Sequence, residues 1–370
     1  METTLKIWKK NTLTLAALGA GLACTHAAQA AEAFQLRYNI AGSLGGEMFG
    51  APDRSGLAAG IAWTDILIDK ITGDDGHPLT STLPGGTVAL PAPTPAAMYP
   101  TYGATTADVD ARGSQRQWNI AFGYVTSDTY AGGRFAFGIN VPYATKKQTI
   151  DITATPPQLQ WNPAVPSATQ TAVQGQFDTR FTGGLAAQSA ASTGQVTAFG
   201  DSDIQFGWLH AGEQFRMLAG ASLVLPTGQY ATGPAPNIGF GNFYTLRPSF
   251  QAAYLPTPDI AFSGKLTVGL NTRNKDNQLR SGDWIGLEAA AGYKTALGPI
   301  GVHSVWVQQT QADSRNSFGT SKLMSTNVGA FFTTKLPVVD AILTLQYMAT
   351  VDSRNARSGT YSQARLIKLF

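Results

Sequence analysis

Beyond residue 30 the chain carries three histidines, His77, His210 and His303. A hydrolase built on a serine nucleophile needs a histidine base within hydrogen-bond reach and a third group to orient it. Ser304 follows His303, but neighbours on a strand point to opposite faces, so these two cannot pair. His77 falls in a long polar segment and His210 near a tight turn, and all three read as polar or interfacial histidines. Close carboxylates occur in TGDDG (72–76) and GDSD (200–203). TGDDG lacks the ligand count of a calcium loop, and an Asx-type turn opening a strand accounts for Asp201 and Asp203. None of the glycine groupings opens a helix after a strand, so no phosphate loop is expected. No catalytic, cofactor or metal site is expected either.

The remaining polar side chains sit on alternating ribbons. In IAFSGKLTVGL (260–270), Ile260, Phe262, Leu266, Val268 and Leu270 share one face, and Ser263, Lys265 and Thr267 the other. RFAFGINVPY opposes Phe135, Phe137 and Ile139 to Arg134 and Asn140. DWIGLEAAAGYK opposes Ile285, Leu287 and Tyr293 to Glu288 and Lys294, and YTLRPSFQAAY opposes Leu246, Phe250 and Tyr254 to Arg247 and Gln251. Either a soluble sandwich or a transmembrane barrel alternates in this way, with opposite faces wet.

Three features favour the barrel. Many alternating runs last ten residues or more, which suits a tilted span of ~9–11 residues across a bilayer. Aromatics gather near run ends, as at Trp63, Trp118, Tyr143, Trp208, Tyr254 and Tyr293. Connections also alternate in length. Strands near 57–69, 115–129, 134–146, 201–211, 214–226, 240–255, 259–271, 283–296, 300–312, 323–336, 341–352 and 359–370 leave short links such as 212–213 and 297–299. Longer links fall at 70–114, 147–200, 227–239, 272–282, 313–322 and 353–358. The expected fold is an all-β, up-and-down antiparallel transmembrane barrel of about 12 strands, with short turns at the periplasmic end. Its lumen would be the wet side, since a lysine facing lipid at mid-membrane depth costs about 2–4 kcal/mol.

The start of the chain fits export. Lys6, Lys9 and Lys10 precede an apolar run at 13–24, followed by Ala28-Gln29-Ala30, the pattern of a secretory signal peptide over 1–30. That run is too short to span a membrane as a helix. Cleavage removes the single cysteine, Cys24, and lowers the formal charge from +3 to +1. A near-neutral chain gives no electrostatic case for nucleic acid. Residues 31–56 are expected to form a periplasmic segment or a plug, and 57–370 the barrel. The localisation expected is a Gram-negative outer membrane.

Five segments, GGEMFGAPDRSG (45–56), GDSDI (200–204), LPTGQY (225–230), NIGFGNFYTLRPS (237–249) and NKDNQLRSGD (274–283), resemble in sequence and order the outer-membrane family named for the meta-pathway of phenol degradation. The resemblance implies a barrel associated with uptake of aromatic or other hydrophobic compounds, and supplies no catalytic motif. Bacterial outer-membrane barrels also end on an aromatic residue read by the barrel-assembly machinery, as this chain does at Phe370, though Lys368 departs from the usual apolar residue there. Expected partners are a small aromatic or hydrophobic substrate, outer-membrane lipids with lipopolysaccharide, and that machinery. Arg134, Arg247, Gln251, Lys265, Glu288 and Lys294 are the candidate pore-lining residues, their opposite charges setting up a transverse field across a polar passage. A lipolytic barrel and a structural or adhesive barrel are the alternatives. The segment 147–200, rich in Thr, Gln, Ala, Pro and Gly with little charge, is expected to fold inward as a constriction or to lie outside as a lid.

Overall fold

The structure, a computed structural model, describes residues 36–49, 55–314 and 322–370. The expected signal peptide lies outside the described residues. Twelve strands make the wall: β1 (Gly56–Ile71), β2 (Thr105–Val125), β3 (Arg134–Thr153), β4 (Asp203–Ala211), β5 (Phe215–Val224), β6 (Thr245–Thr257), β7 (Ile260–Asn271), β8 (Trp284–Thr295), β9 (Gly298–Gln309), β10 (Met324–Leu336), β11 (Ala341–Arg354) and β12 (Arg357–Leu369). Each pairs antiparallel with its chain neighbour, and β1 pairs with β12 over Ala58↔Leu369 to Ile71↔Arg357, which closes the ring. Closure leaves no unpaired edge within the bilayer, the condition for a sheet to exist there.

The two faces settle which side is wet. Phe122, Phe137, Phe206, Phe250, Phe262 and Leu287 are exposed on the outside, while Thr245, Thr267, Glu288, Asn327, Thr344 and Gln346 are buried within. A soluble sandwich shows the reverse distribution. Trp63, Trp118 and Tyr143 stand in one row across β1, β2 and β3, and Phe215 stacks on Tyr254 at 4.8 Å near the opposite rim. These rings mark the two interfaces of an apolar belt.

Several expected boundaries shift. β2 begins at Thr105 and β3 continues to Thr153, so part of each segment read as a loop is strand. The paired strands rise roughly 30 Å beyond the row of Trp118 and Tyr143 at ~3.3 Å per residue. Residues 147–200 are more than a loop: they contain the end of β3, helix α1 (Ser167–Ser192) and a short strand Gly194–Phe199 paired to β3. The composition hid the helix because Phe177, Phe181 and Leu185 are its only large buried side chains, at i, i+4 and i+8. They pack on Val88 and Leu159, with Tyr102 and Ile152 against them. Ser189 Oγ and Thr193 Oγ1 accept from the backbone N–H groups of Ile152 and Ile150, satisfying an edge that no strand covers. The link expected at 353–358 is also shorter than its outer neighbours, because β11 and β12 are joined by Asn355 and Ala356 alone. Asn355 takes a positive φ of 49° to make that turn.

Candidate functional site: the lumen and the segment that crosses it

Three of the six candidate residues meet in one row. Gln251 on β6 lies directly opposite Lys265 on β7, and Lys265 directly opposite Glu288 on β8. Lys265 Nζ stands 3.4 Å from Glu288 Oε1. Arg247 belongs to a second cluster nearer the outer mouth, where it pairs with Asp203 of β4 and donates to Ser222 Oγ at 2.8 Å. Arg134 and Lys294 are elsewhere, at the short-turn rim. Arg134 donates to the carbonyl of Thr126 at 3.1 Å, and Lys294 is exposed beside the turn that starts β9.

What joins the first two clusters is residues 36–49. Near the outer mouth Arg37 is buried, pairs with Asp201 at 2.8 Å, donates to the carbonyls of Gly241 and Phe243, and lies 3.8 Å over the Phe243 ring. Arg247 donates to its carbonyl at 3.1 Å. Midway, Glu288 accepts from Tyr38 OH at 2.9 Å and from Ser43 N at 2.6 Å, and the Ser43 hydroxyl accepts from Lys265 Nζ at 2.9 Å. Gln346 Nε2 donates to the carbonyl of Ala41 at 2.9 Å. Towards the short turns Glu47 pairs with Arg365 at 2.7 Å and accepts from Thr344 Oγ1 at 2.8 Å, and Arg216 donates to the carbonyl of Met48.

Apolar contacts run between these polar ones. Leu44 and Met48 pack with Ala253, Leu255, Ala261 and Phe331, and Ala41 with Val305, Met348 and Tyr361. Tyr38 meets Trp284 edge-on at 5.0 Å. Gly286 makes room for Tyr38, since a Cβ there would come within 2.6 Å of its ring. The segment is therefore held by side chains of the wall rather than by a strand ladder.

Tyr38, Ser43, Glu47 and Arg365 escape a reading of the sequence, and Asp201 and Asp203, read there only as turn residues, are the partners of Arg37 and Arg247. Their partners lie as far as 318 residues away, as Arg365 does from Glu47, and 36–49 shows no strand periodicity. The only local signal was the GGEMFG run (45–50) noted for its family resemblance.

His303 and His210 stand on different strands, β9 and β4. His303 is buried with Nδ1 3.3 Å from the carbonyl of Leu44, and it meets Phe331 edge-on. His210 stacks on Trp208 at the short-turn end, 2.5 Å from the carbonyl of Gly132.

A family model described as the MetA-pathway of phenol degradation matches residues 99–366. The chain belongs to that family. Its members match here over β2 to β12, and the segment 36–49 lies before the matched region. No curated protein sequence matches the chain. Among solved structures, the COG4313 outer membrane channel from Pseudomonas putida F1 is similar with a TM-score of 0.59 at 11% identity, over 86% of this chain and 96% of that one. That likeness is one of fold. The β domain of the Bordetella autotransporter BrkA (TM-score 0.43, 11% identity, 86% and 100% covered) and the CymD monoaromatic hydrocarbon channel (0.37, 11%, 93% and 98%) are too distant to carry an argument. Family and fold together, with the apolar outer face, make this chain a β-barrel of the outer-membrane type.

Proposed function

We propose that the protein admits small hydrophobic or aromatic molecules passively across the outer membrane, and that residues 31–56 include a plug whose movement opens the path. The supporting observation is the manner in which 36–49 is held. Its anchors are side-chain bonds to Glu288, Arg365, Gln346 and Asp201, each separately breakable, whereas the wall itself is a continuous ladder. A segment fixed in this way can leave without unfolding the barrel. The passage it vacates carries Arg247, Gln251, Lys265 and Glu288 beside Ala253, Ala261, Ala290 and Phe331, a wall that meets both the ring and the polar substituent of a phenol-like solute. Arg134 and Lys294 would line its periplasmic exit.

Two partners follow from the same reading. Phe370 ends the strand that closes the ring, where the assembly machinery would engage it. Arg112, Arg116 and Lys147 face outward just above the Trp118–Tyr143 row, at the height of lipopolysaccharide phosphates.

The test is reconstitution. Liposomes carrying the mature protein, or a variant lacking residues 36–49, are challenged with phenol, toluene and glucose. Faster flux of the aromatics through the variant is expected. Equal, background flux in both would refute the reading.

A further inference from the structure

A groove on the outside of the barrel plays no part in the lumen. The row Gln308–Met324–Arg354 crosses β9, β10 and β11 in direct register. Its side chains point outward, because their chain neighbours Val307, Ser325 and Ser353 are buried within. Lys322 and Asp74 join this row from the outer links, and with it they border an open groove of about 350 Å³. That is far more than the ~30 Å³ that a water occupies in the liquid, and enough for a phosphate together with the sugar that bears it.

Polarity changes down the groove in the order a lipid presents. The row beneath is Trp306–Thr326–Asp352, and a tryptophan facing outward there marks headgroup level. Lower still, Leu287 next to Trp306 on β8, Val328 on β10 and Val302 on β9 are exposed and apolar. At the polar end, Lys322 and Arg354 are exposed, and neither makes an ion pair among the described residues. Arg354 does not pair even with Asp352, two residues away on its own strand. The groove's own carboxylate, Asp74, accepts from Asn355 Nδ2 at 2.5 Å, and the same amide donates to the carbonyl of Lys322 at 3.1 Å. Buried Asn355 thus fixes both Asp74 and the backbone of Lys322. Two cations against one carboxylate leave the lining net positive.

We infer that this groove binds a phosphorylated glycolipid of the outer leaflet, with a phosphate between Lys322 and Arg354 and acyl chains against Val302, Leu287 and Val328. The guanidinium can hold two phosphate oxygens at once and the ammonium a third, while the Gln308 amide stands beside the sugar. The apolar wall below supplies contact that a free phosphate cannot use. The site goes beyond the uptake reading and rests only on the barrel's place in the outer membrane.

Native mass spectrometry of the full mature protein in detergent tests it, with lipid A, lipid A stripped of its phosphates, and inorganic phosphate as probes. One lipid A per barrel is expected, bound at least tenfold more tightly than either of the others. Lys322→Gln and Arg354→Gln should each weaken lipid A at least tenfold, and Lys147→Gln, which removes an exposed cation on β3, should not. Equal binding of intact and stripped lipid overturns the phosphate contact. Inorganic phosphate bound as tightly as lipid A overturns the lipid. An equal loss with Lys147→Gln overturns the groove, since binding would then follow overall charge. The comparison of probes on the native protein stands even where a variant fails to fold. Failure here leaves the uptake reading intact, because that reading is judged by flux of phenol and toluene.

Discussion

The Glu288→Gln substitution probes the central latch. The Lys265–Glu288 pair belongs to the wall, so it exists whether or not residues 36–49 are seated, and its energy largely cancels from the seating equilibrium. What does not cancel is the set of bonds made to Glu288 by the segment itself: Ser43 N at 2.6 Å, the Ser43 hydroxyl at 3.0 Å and Tyr38 OH at 2.9 Å. Glutamine preserves the shape but offers one acceptor oxygen, and its amide N–H₂ faces a donor where the second oxygen stood. A hydrogen bond to a charged group contributes about 1.5–3 kcal/mol, and such contributions are not additive within one cluster. Losing the ionic character of all three and the acceptor for one gives about 2–3 kcal/mol. At about 1.4 kcal/mol per decade, that shifts the seated-to-released ratio roughly 30- to 150-fold. Two readouts follow it. Open probability in planar bilayers should rise by that factor. A spin label on an Asn39→Cys background should gain mobility, with no competing thiol, since the chain's single cysteine is Cys24. A folded Glu288→Gln barrel with native open probability and an immobile label would refute the latch argument.

Other perturbations address other parts. Glu47→Gln removes the partner of Arg365 at a more exposed place, so roughly a tenfold rise in open probability is expected, read in the same bilayers. Lys265→Glu should move the reversal potential in a salt gradient toward cation selectivity; an unchanged potential means that Lys265 does not line the ion path. Leu266→Arg faces lipid and should cost about 2–4 kcal/mol in urea unfolding from bilayers if it sits near mid-depth, with no change in conductance. Phe181→Ala opens the small core under α1, which costs about 3–5 kcal/mol locally. It should speed proteolysis of residues 155–195 while the barrel keeps its folded, heat-modifiable gel mobility.

The wall was legible because its physics is local. A strand between lipid and water writes its environment into alternate residues, so Phe262 and Lys265 announce their faces without knowledge of any other strand. Lys265 and Glu288 could be read as sharing the inward face, but not as a contact, because β7 and β8 are joined by a long link rather than a short turn that would fix their register. Helix α1 was not legible, since a helix with only Asp178 and Arg180 charged and small residues over most of its surface has the composition of a linker. The segment 36–49 was less legible still. Its conformation is dictated by partners on β4 to β12, and nothing in Tyr38 or Ser43 indicates a carboxylate 250 or 245 residues away.

The pairing of charges alters what the lumen does electrically. Opposite charges on facing walls would make a field across the passage, but Lys265 and Glu288 sit on adjacent strands 3.4 Å apart, and Arg247 is matched by Asp203. Such pairs act as short dipoles whose fields fall quickly with distance and are screened within ~8 Å at physiological salt. A wall of this kind rejects ions weakly, and it does not pull a charged solute along its length. On the proposed function the barrier is instead the seated segment, whose removal would expose both the dipoles and the apolar surface of Ala253, Ala261 and Phe331.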